Sequence, residues 1–283
     1  MRSKNRNINQ LIAFFIITTA LTAIVFMWMF NGAKNSMPAM FIMMWTPAIS
    51  AFATSFLFRG KITSYGWKLN KFKYIGYAIL IPIAVSIIVY GFSWLVGLID
   101  FYPNEVMNYR WAEMIGFTLP VSTSIGILSK LTVGTVVIFL FVLGEEIGWS
   151  GFLTPKLLQE FSISTTSIIV GLYWSVWHYP AIIGGFYGTG TPLWIQLFGF
   201  TLTVTAASFI RTILVKKSSS LWPGVILHLA DNIIMMGLFY DLTVKTEFSG
   251  YLVSETGLLT GSVYIIFSVF LLKINSQNNI RVN

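Results

Sequence analysis

Residues 131–152 read LTVGTVVIFLFVLGEEIGWSGF, an apolar run whose charges are the adjacent pair Glu145 and Glu146. As a helix rising ~1.5 Å per residue, a run of this length matches the ~30 Å hydrocarbon core of a bilayer. An ionised side chain at such depth costs ~2.5–3.5 kcal/mol even on the lenient insertion scale. A span that carries two acids therefore turns them toward a protein interior, and the pair is a functional candidate from the outset.

Seven further runs of similar character lie around it, at 11–30, 38–58, 74–99, 168–187, 193–215, 221–240 and 257–272. The sequence thus predicts an all-α, polytopic membrane helix bundle of about eight transmembrane helices. It forms a single integral membrane domain over 1–283, with a motif-bearing core at about 131–240. The composition agrees: 55% of residues are hydrophobic and only 10% charged, and the mean hydropathy of +0.75 leaves too few polar residues to cover a soluble surface. The absence of cysteine excludes disulfides, thiolate metal sites and a cysteine nucleophile. The net charge of +8 is spread over short loops, so it argues against nucleic-acid binding and for membrane orientation.

With the N-terminus placed in the cytoplasm, 14 of the 18 cations fall on inner segments, among them Arg6, Arg59, Lys61, Lys68, Lys156, Arg211 and Lys216. The outer segments hold Lys34, Arg110, Lys130 and Lys245. The positive-inside rule then predicts a multi-pass cell-membrane protein with both termini cytoplasmic. The longest connection, about 100–130, reads as an outer surface loop.

Both histidines, His178 and His228, fall within spans, as do Glu145, Glu146 and Asp231. Asn232 follows His228 by four residues, on the same helical face. Counted from the inner span ends, Glu145 and His228 lie ~11 Å deep and His178 ~15 Å. From these residues alone an interhelical hydrogen-bond cluster, a proton relay for transport and a hydrolytic site all remain open.

Three segments carry a resemblance. They are Gly144-Glu145-Glu146-Ile147-Gly148-Trp149-Ser150, then Trp174 with His178 in Trp177-His178-Tyr179-Pro180, then Leu221-Trp222-Pro223-Gly224 leading to His228-Leu229-Ala230-Asp231-Asn232. Together they resemble the CPBP family of CAAX-processing and bacteriocin-processing (Abi) intramembrane proteases, including the type II CAAX prenyl endopeptidases. The resemblance implies an endopeptidase in which Glu145 and His178 activate water and His228 and Asn232 stabilise the oxyanion. Its substrate is a peptide or protein with an apolar or membrane-associated segment, reached from the cytoplasmic side among membrane lipid. Glu146 is normally paired with an arginine four residues on; here Ser150 stands there, which leads to the expectation that Ser150→Arg restores a partner and stabilises the protein. No obligatory cofactor is expected. A divalent metal such as zinc, on Glu145, His178 and His228, is the competing expectation. The alternative function is a catalytically weak or inactive relative with an immunity or partner-binding role.

Overall fold

In lipid every backbone amide needs a partner within the protein, and a helix supplies one without help from its neighbours. The computed structural model, which describes residues 2–32, 37–101, 123–186, 188 and 190–280, accordingly turns each apolar run into a helix. These are α1 (Arg2–Phe30), α2 (Met37–Leu57), α3 (Lys73–Leu95), α4 (Gly126–Leu157), α5 (Ile163–Ile183), α6 (Leu193–Ser218), α7 (Trp222–Phe239) and α8 (Leu258–Ile280). Seven of them are long and apolar enough to cross a membrane. The remaining long helix, α5, is more polar, yet it packs lengthwise on α6. A Cβ on Gly171 would lie 2.5 Å from the Thr205 backbone, and Tyr179 meets Thr201 at 2.7 Å. The protein is an all-α polytopic bundle of the kind the hydropathy predicts.

Contacts along the helices fix their directions. The α1 and α5 helices run parallel: Phe15 stacks edge-on against Tyr173, Trp177 donates to Thr22 at 2.8 Å, and Phe30 meets Phe186. Likewise α2 and α4 run parallel, from Phe41 against Phe141 to Pro47 against Gly148. The result is two faces. One gathers Arg6, which donates to the Phe58 carbonyl, and Asn7, which donates to the Lys156 carbonyl at 3.1 Å. The opposite face gathers the ends of α1, α5 and α7 with the start of α4, where Lys130 pairs with Asp241.

On the N-terminal face, the segment after α2 folds beneath α7. Tyr65 is buried and donates to the Ala51 carbonyl at 2.8 Å, and Trp222 donates to the Trp67 carbonyl at 2.6 Å. Leu221 donates its N–H to the Gly66 carbonyl at 3.1 Å. Gly66 adopts φ +79°, and a Cβ there would sit 3.0 Å from the Ser220 backbone, so both the turn and the close approach require glycine.

One placement differs from the sequence reading. Arg211, counted among inner-loop cations, is inside α6 and 2% exposed. Of the 100–130 connection, residues 102–122 lie outside the described residues.

Candidate active site

Glu145 and Glu146 end the α-helical part of α4, and a π-helical segment, Ile147–Leu153, follows at once. Such widened turns concentrate at functional sites. Gly144 and Gly148 let α2 approach to contact, since a Cβ at either would fall within 2.6 Å of Trp45 or Pro47. Both carboxylates are fully buried, and their partners divide cleanly. Glu145 Oε2 accepts from the indole N–H of Trp149 at 3.2 Å and of Trp174 at 2.8 Å. Among the described residues its Oε1 has no hydrogen-bond partner.

Glu146 is held on all sides. Its Oε1 lies 3.1 Å from His228 Nδ1 and 3.3 Å from Arg211 Nε, and its Oε2 accepts from the Ser150 hydroxyl. The Arg211 guanidinium also lies over the Trp174 ring, 3.9 Å from its centroid, a favourable cation–π placement. The cation missing at position 150 is thus supplied from α6. This overturns the expectation for Ser150→Arg: the partner exists, and a Cβ on Gly224 would lie 2.0 Å from Ser150 Oγ, so α7 leaves no space for a longer side chain.

His178 Nδ1 lies 3.2 Å from the Trp174 carbonyl. Donation to that acceptor fixes the tautomer with the proton on Nδ1 and makes Nε2 the basic nitrogen. His228 packs edge-on against Trp174, with ring centroids 5.1 Å apart. Asn232 lies on α7 just past His228, where the helix widens into the π-helical segment Asp231–Phe239. Asp231 accepts from the Tyr264 hydroxyl of α8.

A cavity of about 860 Å³ joins these groups: Glu145, His178, Arg211, His228, Asp231 and Asn232 all line it. Six of the chain's 11 methionines (Met29, Met40, Met43, Met44, Met235 and Met236) form much of its wall. Flexible thioethers suit an apolar guest of variable shape. The cavity runs to Lys130, Asp241, Lys245 and Glu255, on the face opposite the N-terminus. On α5, His178 lies 15 residues from Ile163 and five from Ile183.

The metal candidates Glu145, His178 and His228 all line this cavity. Among the described residues no group of three His, Cys, Asp or Glu could hold a metal ion. His228 Nδ1 faces Glu146, and Glu145 Oε2 is occupied by two indoles.

Arg211 and the two indole donors escaped the sequence reading. Trp149 carried a signal, four residues after Glu145 and hence on its face. Arg211 carried one too, an arginine followed by Thr212-Ile213-Leu214 inside an apolar run.

Residues 127–234 match the family model described as type II CAAX prenyl endopeptidase, Rce1-like. A 104-residue stretch, 34% of this chain, is 29% identical to CAAX prenyl protease 2 of Methanococcus maripaludis and spans 38% of that relative's length. The stretch matched by the family model contains the three motifs.

Proposed function

We propose, from the Rce1-type family of the motif-bearing core, that this multi-pass membrane protein is an intramembrane endopeptidase working through a glutamate-activated water. The observation that carries the reading is Glu145 Oε1. It is a buried carboxylate oxygen on the wall of the cavity, without a protein partner among the described residues. Such an oxygen calls for a donor, and a water can serve. With Oε2 fixed by Trp149 and Trp174, Oε1 is the oxygen presented to that water.

Glu145 takes a proton from the water as the water oxygen attacks the scissile carbonyl carbon, with His178 Nε2 accepting from the same water to orient it. The carbonyl oxygen becomes the oxyanion, met by the Asn232 amide and, in its doubly protonated form, by His228 Nε2–H. Glu146 supplies the counter-charge for that imidazolium and orients its ring, itself held by Arg211 and Ser150. Glu145 then returns its proton to the departing amine, the C–N bond breaks, and the carboxylate is regenerated.

The methionine-rich wall favours peptides or proteins with an apolar or membrane-associated segment surrounded by lipid, and the cation distribution favours termini in the cytoplasm. Purified protein is to be assayed against a broad peptide library beside Glu145→Gln. Turnover by the wild type that Glu145→Gln abolishes supports the proposal. No cleavage, with full cellular function retained by Glu145→Ala, replaces it with an immunity or partner-binding role.

A further inference from the structure

We infer that the N-terminal face carries a binding site for anionic phospholipid headgroups, formed where the segment after α2 meets the end of α6. The site takes lipid rather than peptide, independently of the endopeptidase reading.

Residues 59–73 read RGKITSYGWKLNKFK and residues 216–220 read KKSSS, which together hold seven cations and no acid. Among the described residues none of the seven is ion-paired, whereas Lys130, Arg211 and Lys245 each have a carboxylate within reach. The two runs are far apart in sequence, yet the fold joins them. Lys71 donates from its ammonium to the Lys217 carbonyl at 2.8 Å, and Leu221 donates to the Gly66 carbonyl at 3.1 Å. The Lys71 ammonium therefore sits at the last turn of α6, which carries Lys216 and Lys217. Like charges are gathered with no acid of the chain to offset them. These residues follow the ends of α2 and α6 and lead into α3, so they lie where headgroup phosphates lie, and those phosphates are the anions that offset them.

Apolar side chains are interleaved with the cations. Leu69 is 55% exposed and Phe72 71%, on either side of Lys71. At a bilayer surface this alternation has a physical use: the lysine stems extend and hold their ammonium groups among the phosphates, while the neighbouring leucine and phenylalanine enter the acyl boundary.

The backbone that presents these groups is fixed. Tyr65 is buried and bonded to the Ala51 carbonyl, the Trp67 indole donates to the Ile62 carbonyl at 2.8 Å, and the Trp222 indole donates to the Trp67 carbonyl at 2.6 Å. Lys71 adopts φ +55°, a left-handed conformation that a lysine keeps where its surroundings hold it. The bond to Lys217 is such a hold, and it also satisfies a carbonyl at the end of α6. A headgroup thus meets a surface that is already shaped, which lowers the ordering cost of binding.

The full chain, purified in a neutral detergent, is to be titrated with dioleoyl phosphatidylglycerol, with dioleoyl phosphatidylcholine and with tail-free glycerol phosphate. Bound lipid is counted by mass spectrometry of the intact complex, and melting is followed alongside. Phosphatidylglycerol should bind about tenfold or more tightly than phosphatidylcholine and raise the melting temperature; glycerol phosphate should do neither. Each basic residue near an anionic surface contributes about fivefold in affinity. Lys68→Gln/Lys216→Gln/Lys217→Gln should therefore weaken phosphatidylglycerol by ~100-fold and leave phosphatidylcholine unchanged. Should the triple variant not accumulate, Lys68→Gln/Lys216→Gln is scored for a ~25-fold loss on the same scale. Equal affinity for the two lipids, or a variant that keeps the wild-type preference, overturns the inference. Glycerol phosphate that competes as well as the lipid also overturns it, by showing a site for a free anion.

Discussion

Ser150→Arg is the perturbation on which sequence and structure disagree in sign. Ser150 is fully buried, donates to Glu146 Oε2, and lies so close to α7 that a Cβ on Gly224 would fall 2.0 Å from its hydroxyl. Glu146 already has a cation, Arg211, at 3.3 Å, with His228 on the same oxygen. A second arginine would set two guanidinium groups and a histidine against one carboxylate, leaving a buried charge uncompensated at ~3–5 kcal/mol. Overpacking against Gly224 adds to this in the same direction, by ~1–3 kcal/mol. Even the lower charge figure alone shifts the folding equilibrium by ~100-fold or more, at ~1.4 kcal/mol per tenfold. Thermal melting in detergent should fall well below the wild type, accompanied by loss of turnover as His228 is displaced. A variant that melts at or above the wild-type temperature and keeps its activity would refute the assignment of Arg211 as the partner of Glu146.

Four further outcomes follow from the same contacts. Removing the cation by Arg211→Gln should destabilise by ~3–5 kcal/mol, because Glu146 stays buried without its counter-charge, and detergent melting reads this directly. Asn232→Ala should keep the fold and slow turnover by ~10²–10³-fold through loss of one oxyanion donor, seen in kcat with melting unchanged. Trp174→Phe, which takes one of the two N–H donors from Glu145 and weakens the surface under Arg211, should lower both kcat and melting temperature. Gly171→Ala drives a methyl to 2.5 Å from the Thr205 backbone and should lower stability by ~1–3 kcal/mol; an unchanged melting curve would show that α5 and α6 separate without strain.

The sequence by itself determined the membrane class, the number and approximate positions of the long helices, and the acids, histidines and asparagine that line the cavity. It could do so because lipid imposes a length on every span and a large penalty on every ionisable group within one, so that a run such as 131–152 declares both its helix and its misfits. Even the shift of the α5 start from 168 to Ile163 alters only a boundary.

Tertiary structure decided which groups meet. Arg211 is separated from Glu146 by more than sixty residues, and its position near the end of an apolar run is equally that of a loop cation; only the packing of α6 against α4 and α7 turns it inward. The π-helical segments after Glu146 and His228 depend on how neighbouring helices press on those turns, which the 3.6-residue period cannot record. The direction of the cavity is likewise a property of the assembled bundle. Which face is packed by Tyr65 and Leu221 follows from contacts between segments far apart in sequence, because closure is a matter of packed volume.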